Sequence, residues 1–391
     1  MYKREITNEL LDVAKNYPVV TLIGPRQSGK TTLVRDTFPN LEYVNLEAPD
    51  IREFAQSDPR AFLNNHISNG VILDEIQRVP ELLSYIQVIV DEKKEFGKFI
   101  LTGSHQLMLH QAISQSLAGR TALLTLLPMT LNELSNAKVN LNVDQYILNG
   151  FYPRIYSDNL TPIKAYRNYF QTYIERDVRQ MVNVKDVALF EKFIRICASR
   201  IGQVMNKDSI GNELGISGVT VSHWLSILEA SFVIYMLPPY FENFGKRMTK
   251  SPKLYFTDTG LAAYLLGLEN VQQLSRDPLR GFLFENLVIL ELIKTRLNMG
   301  MDPGLYFYRD SHQNEIDVIY KKGNELLPIE IKAAQTFNVS FLRGLNFYQN
   351  LASDRVSKKY LIYTGEYEQR TGDTSIINYK NARHIILDNN E

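Results

Sequence analysis

The chain has 391 residues, with 43 Lys+Arg against 43 Asp+Glu, 45% hydrophobic residues and a single cysteine. That length suits two or three domains with substantial cores, and the composition is that of a globular protein rather than a disordered or fibrous one. Bulk charge speaks neither for nor against a nucleic-acid partner, Cys197 alone excludes a disulfide or zinc framework, and the longest apolar runs are too short to cross a bilayer.

In chain order, Met1-Tyr2-Lys3-Arg4-Glu5 leads into an amphipathic helix and not into a signal peptide's apolar stretch, so a cytoplasmic location is expected. Val19-Val20-Thr21-Leu22-Ile23 then reads as a buried strand. The next eight residues, Gly24-Pro25-Arg26-Gln27-Ser28-Gly29-Lys30-Thr31, fit G-x-x-x-x-G-K-[ST], and helical spacing resumes at Thr32. Strand, loop and helix are the context this phosphate-binding motif needs. Gly24 and Gly29 let the backbone curl so that successive N–H groups face a polyphosphate, and the helix adds its own unpaired N–H groups. Lys30 brings a mobile charge to the β- and γ-phosphates. The Thr31 hydroxyl is placed to hold Mg²⁺. Residues Gly24 to Thr32 are therefore the expected nucleotide-binding segment, with ATP and Mg²⁺ the expected ligands.

Gly70-Val71-Ile72-Leu73-Asp74-Glu75 is an apolar strand ending in two carboxylates. Asp74 is expected to hold Mg²⁺, usually through water, and Glu75 to act as the general base on the attacking water. A third strand, Lys98 to Gly103, ends at Ser104, which either senses the γ-phosphate or water, or simply caps a following helix. Arg120 is either an arginine finger for a neighbouring subunit's nucleotide or an ordinary ion-pair residue. Strands near 18–23, 41–46, 70–74, 98–103 and 121–126, alternating with helices, imply an α/β domain with a parallel sheet over residues 1–155.

A helical linker is expected over 156–184. It carries an aromatic stripe (Tyr166, Tyr169, Phe170, Tyr173) that either packs between domains or stacks bases. Over 185–268, helices at Val187–Arg200, Lys207–Leu214 and Gly218–Ala230, a strand at Phe232–Leu237 and a loop with Lys246, Arg247, Lys250 and Lys253 look like a winged helix. Its third helix, the expected recognition helix, exposes only Ser217, Thr220, Ser222 and His223, without an Arg or Asn suited to reading bases. Such a unit contacts either DNA, through phosphates, or protein. Over 269–391, Glu285 on a helix, Asp317 in Glu315-Ile316-Asp317-Val318-Ile319-Tyr320 and Glu330-Ile331-Lys332 on the next strand follow the αββ layout of a PD-(D/E)xK nuclease core. There Glu285, Asp317 and Glu330 would hold Mg²⁺ and Lys332 would steady the phosphate or activate water. The bland alternative is a set of surface ion pairs.

Taken together, GPRQSGKTTL, VILDEIQ, LTGSHQLML, SLAGR, TYIERDV, TDTGL and EIDVIY…PIEIK resemble a large bacterial and archaeal family of AAA-type ATPases. Its C-terminal region is a domain of unknown function with winged-helix and restriction-endonuclease-like α+β parts. The resemblance implies that Lys30, Thr31, Asp74 and Glu75 are the nucleotide machinery and that Glu285, Asp317, Glu330 and Lys332 form the nuclease-like site. The expected activity is an ATP-driven motor or switch acting on DNA, in a homo-oligomer and away from membranes. Two rivals remain: an ATP-regulated nuclease, and a signalling ATPase whose C-terminal half binds protein.

Overall fold

The computed structural model describes residues 2–104, 116–178, 187–241 and 249–388. The chain divides into two compact units: Met1–Met129 with Ala230–Phe232 and Leu297–Met301, and Thr130–Glu229 with Val233–Arg296 and Asp302–Glu391. The sequence draws four segments, with a first boundary near 155; here residues 130–155 group with the C-terminal unit. Lys246 and Arg247 lie outside the described residues.

In the first unit, β1 (Val19–Ile23), β2 (Glu42–Asn45), β3 (Val71–Asp74), β4 (Phe99–Gly103) and β5 (Thr121–Thr125) form one sheet. All its pairings are parallel, in the order β2-β3-β4-β1-β5. The three central strands are buried along their whole length, as strands covered on both faces must be. Val20, Leu22, Ile72 and Ile100 from the sheet pack with Ile6, which precedes the first helix (Thr7–Asn16), with Leu10 of that helix, and with Leu33 and Val34 of the helix after the loop (Lys30–Thr37). One consequence matters for the site. Since β4 lies between β1 and β3, the carboxyl ends of all three open side by side, with Ile23 opposite Gly103 and Leu73 opposite Leu101.

The second unit begins with short helices, Leu131–Asn136, Val143–Asn149, Pro153–Ser157 and Pro162–Tyr169. Pro153 and Pro162 open the last two, where a missing N–H costs nothing. The chain continues through Phe170–Val178 as a wider helical turn of the π type. Tyr166, Tyr169, Phe170 and Tyr173 are all buried, so the aromatic stripe is a packing surface and offers no ring for base stacking.

Asp258 is the polar centre of this packing. Its carboxylate is fully buried and accepts hydrogen bonds from the Tyr166 hydroxyl (2.6 Å), the Phe151 N–H (2.7 Å) and the Leu261 N–H (3.1 Å). Burial pushes its carboxyl up, and these donors pull against that shift. Room for the Tyr166 side chain comes from Gly150 and Gly260, where a Cβ would lie 1.9 Å from its hydroxyl oxygen and 2.4 Å from its ring, respectively.

Helices Val187–Ser199, Lys207–Leu214 and Gly218–Ala230 precede an antiparallel hairpin of β6 (Ile234–Leu237) and β7 (Lys253–Phe256). Val221, Trp224, Leu225 and Leu228 face inward as expected. Lys253 does not belong to an exposed basic wing. It is 2% exposed, because β7 is a buried strand and its ammonium is drawn to internal carboxylates. Cys197 is a free, buried thiol that burial pushes up.

The long helix Arg280–Asn298 is buried without interruption from Leu283 to Thr295. Beyond it, β8 (Leu305–Arg309), β9 (Glu315–Lys322), β10 (Glu325–Lys332), β11 (Lys359–Tyr363), β12 (Gln369–Thr371) and β13 (Thr374–Asn378) form a mixed sheet ordered β12-β13-β11-β10-β9-β8. The first three strands are an antiparallel meander. A helix at Arg343–Ala352 then leads to β11, parallel to β10. Among the described residues no helix is long and apolar enough to cross a membrane.

Asp258→Ala would leave buried donors at Tyr166, Phe151 and Leu261 without their acceptor. The expected cost is about 3 kcal/mol, read by urea unfolding through fluorescence of the single tryptophan, Trp224, which sits in the same unit. Unchanged stability would show that Asp258 is not the centre of this packing.

Candidate functional site

The loop after β1 is held in the conformation its motif requires. Gly24 and Gly29 have φ of 154° and 94°, and a Cβ on Gly24 would lie 2.1 Å from the Leu126 carbonyl oxygen. Only glycine fits there. Buried Arg4 braces the loop, donating to the carbonyls of Ser28 and Leu127 at 2.7 Å each. The Lys30 side chain folds back onto its own loop, donating to the carbonyls of Gly24 and Pro25, both at 2.9 Å. Burial lowers its ammonium to about 8, against the opposing pull of Glu75 and Asp74. Ser28 Oγ is buried without a hydrogen-bond partner. Arg26 reaches Glu47 at 3.2 Å, while Gln27 and Thr32 are exposed.

Asp74, 5% exposed, accepts from three hydroxyls. Thr31 lies 3.0 and 3.1 Å from its two oxygens, Tyr43 donates at 2.8 Å, and Thr102 donates from β4. Thr31 and Asp74, expected to share one ion, are thus brought into direct contact. Tyr43 and Thr102 are partners the sequence reading missed. They come from β2 and β4, the two strands flanking β3, so strand order alone brings them to Asp74.

Glu75 begins the turn after β3 with φ 59° and ψ 48°, a left-handed conformation unusual for a non-glycine residue. Its Oε2 accepts from the Ser104 hydroxyl at 3.0 Å and from the Gln77 amide. The Gln77 amide also donates to Ser104 Oγ at 3.2 Å. Ser104 is fully buried and touches the expected base. Gln77 was missed, although it stands two residues after Glu75 in the same apolar-flanked run. Arg120 is paired within its own chain, donating to both Asp91 oxygens at 2.6 and 2.8 Å, and Asp91 raises its guanidinium's affinity for the proton.

The second expected site is a compact cluster of opposite charges. Glu285 Oε1 accepts from Lys253 Nζ at 3.1 Å and from the Tyr255 hydroxyl, and Lys253 also reaches Glu315 at 2.6 Å. Lys332 Nζ lies 2.5 Å from Glu330 Oε1 and 3.9 Å from Asp317 Oδ2, and the latter accepts the Ile331 N–H at 2.8 Å. Glu330 Oε2 is buried without a partner. Among the described residues no group of three His, Cys, Asp or Glu side chains is arranged to hold a metal ion. Two ammonium groups already sit on these carboxylates. Burial pushes the Glu285 and Glu330 carboxyls up; Asp317 adds to both shifts, while Lys253 and Lys332 oppose them.

Comparison with known proteins gives a family match over the segment that carries the first site. Residues 16–135 match the family described as AAA domain. Residues 140–272 and 280–382 match two families described only as domains of unknown function, DUF8612 and DUF4143. An uncharacterized protein of Mycobacterium tuberculosis is 28% identical over 376 residues, 96% of this chain and 82% of the relative. An uncharacterized protein of Haemophilus influenzae is 25% identical over 389 residues, with 90% of each chain covered. Among solved structures, the Walker-type ATPase PABY2304 of Pyrococcus abyssi is 17% identical, with a TM-score of 0.48, covering 68% of this chain and 96% of its own. The RuvB Holliday junction branch migration motor of Thermotoga maritima is 18% identical, with a TM-score of 0.30, covering 61% and 90%. Those structural likenesses are too distant to decide anything further. The family match and the loop's own geometry make the N-terminal segment an AAA-type P-loop ATPase domain, which supports ATP binding and hydrolysis.

The acid cluster makes stability depend on pH. Glu285 and Glu330 hold protons in the folded chain above the ordinary 4.5, so their contribution is complete below that value and is lost as pH rises through the folded-state values. Stability should therefore fall between about pH 5 and 8, by at most about 1.4 kcal/mol per pH unit for each proton. Glu330→Gln should flatten the slope. Urea unfolding followed through Trp224 checks this, and a stability that rises with pH in both proteins would contradict it.

Proposed function

We propose that the protein is an ATP-binding and ATP-hydrolysing switch whose C-terminal half acts on DNA. The observation that carries the reading is the convergence of Lys30, Thr31, Asp74, Glu75 and Ser104 at the carboxyl ends of three adjacent strands. Open α/β sheets bind ligands at that edge. The residues fit a magnesium-bound triphosphate: the Gly24 curl admits no side chain, Ser28 Oγ has no partner among the described residues, and Lys30 binds the carbonyls of its own loop. Thr31 and Asp74 would hold the Mg²⁺, whose charge would offset that building on the phosphates. Glu75 takes a proton from the attacking water, Ser104 holds the carboxylate in place, and Lys30 leaves its carbonyls for the phosphates. Arg120 would serve a neighbouring subunit only by giving up Asp91.

Support for DNA comes from the helix pair Lys207–Leu214 and Gly218–Ala230. Beside it lies a cavity of about 960 Å³ lined in part by Lys207, Ser222, Thr249, Ser251, Arg309 and Ser311. Lys207, Arg309 and the hydroxyls are groups that contact phosphates, and the acid Asp208 lines the same cavity. Asp310, also at the cavity, is turned onto the His312 and Asn314 N–H groups of its own loop. The nuclease reading is less well supported. Lys253 and Lys332 already occupy oxygens of Glu285 and Glu330, two of the acids that would have to hold metal.

Steady-state ATPase measurements test the first half. Lys30→Ala should abolish nucleotide binding. Glu75→Gln should keep binding while lowering kcat by about a hundredfold or more; wild-type turnover in that variant would remove Glu75 from its role. For the second half, duplex or four-way-junction DNA should stimulate ATP turnover at low salt. Lys207→Glu should weaken DNA binding and reduce the slope of log affinity against log salt by about one. A turnover indifferent to every DNA would favour a protein partner.

A further inference from the structure

We infer that Gln77 is the positioning residue of the hydrolytic base, holding Glu75 so that one named oxygen is left to take the proton. The inference rests on the reading of Glu75 as general base and adds a residue to it.

Three features converge. First, both donors to the Glu75 carboxylate use the same oxygen, Oε2: the Ser104 hydroxyl and the Gln77 amide. Oε1 has no partner among the described residues, so the carboxylate is oriented with one oxygen occupied and the other available. Second, the three side chains close a ring in which each proton is accounted for. The Ser104 hydroxyl gives its only proton to Glu75 and must itself accept, which it does from Gln77 at 3.2 Å. The Gln77 –NH₂ supplies two protons, one to each neighbour. Third, the backbone is set for it. The left-handed turn at Glu75 (φ 59°) starts the short helical turn Ile76–Arg78, and the Glu75 N–H is tied to Thr102 Oγ1 at 3.3 Å. Residue 77 is thereby returned to the side of residue 75. A plain continuation of β3 would also put both side chains on one face, but about 7 Å apart along the strand.

The amide's other end bears on the same point. Gln77 Oε1 is buried with no hydrogen-bond partner, a state tolerated in few places. It leaves an acceptor beside the base, next to where a water must give up its proton. An amide is suited to this post because it donates to the base and accepts nearby without competing for the proton. A carboxylate in its place would repel Glu75, and an apolar residue would let Glu75 rotate.

The full-length chain carrying Gln77→Ala, Gln77→Glu or Glu75→Gln is assayed for kcat, KM for Mg-ATP and binding of a non-hydrolysable ATP analogue. Gln77→Ala should lower kcat by about tenfold or more, the worth of a hydrogen bond to a charged group, with analogue binding within about twofold of wild type. Gln77→Glu, of nearly the same shape, should be impaired at neutral pH and recover relative to wild type toward about pH 5, where the new carboxyl regains a proton to donate. A residue that merely shaped the loop would not produce that pH-dependent ratio. Wild-type kcat in Gln77→Ala, a Gln77→Glu ratio flat with pH, or loss of analogue binding in step with kcat would each overturn the inference. If Glu75→Gln itself turns over at the wild-type rate, the general-base reading falls and this one falls with it. If Glu75→Gln is inactive while Gln77→Ala is normal, only the role of Gln77 is lost.

Discussion

The placement of β4 between β1 and β3 is the constraint on which the first site depends. Neighbouring strands lie about 4.8 Å apart, so the strand that ends in the glycine loop and the strand that ends in Asp74 and Glu75 are separated by about 10 Å. That gap leaves room for a terminal phosphate and a water. It also fills the floor of the gap with the end of β4, which is why Thr102 and Ser104 reach Asp74 and Glu75. With β3 directly beside β1, the carboxylates would crowd Lys30 and no polar residue would stand between them.

The protein's two clusters of acids and lysines resolve their charge in opposite ways. In the first, among the described residues, Lys30 is parked on neutral carbonyls, Glu75 Oε1 has no hydrogen-bond partner, and Ser28 Oγ lacks one. Each is a group left for a ligand to satisfy. In the second, Lys253 and Lys332 lie directly on Glu285, Glu315 and Glu330. Removing either lysine would strand buried carboxylates, a larger penalty than any surface ion pair repays. Lys253 comes from the hairpin and Glu285 from the long helix, so this cluster also ties two elements of the second unit together. Its nuclease-like order of residues is therefore compatible with a part that is structural.

Much of this was legible along the chain, and for a local reason. The glycine loop, the five parallel strands and the helix pair before the hairpin are each specified by short stretches whose periodicity or turn chemistry is self-contained. The residues that escaped notice act across distance. Tyr43 and Thr102 become partners of Asp74 only through strand order, and Asp258 gathers donors from Tyr166 and Phe151, 92 and 107 residues away along the chain. Lys253 counted as one more wing cation because a sequence does not say which side of a four-residue strand is buried, nor that both are.

By itself the sequence determined the phosphate loop, the identity of the acids that follow β3 and the alternation that makes a parallel sheet, since each is written in contiguous residues. Only the tertiary structure decided which oxygen of Glu75 is occupied, what holds it there, and that the second set of acids is paired internally. Those outcomes depend on side chains from separate strands competing for the same few ångströms, and such a competition is settled by packing and desolvation rather than by any local pattern.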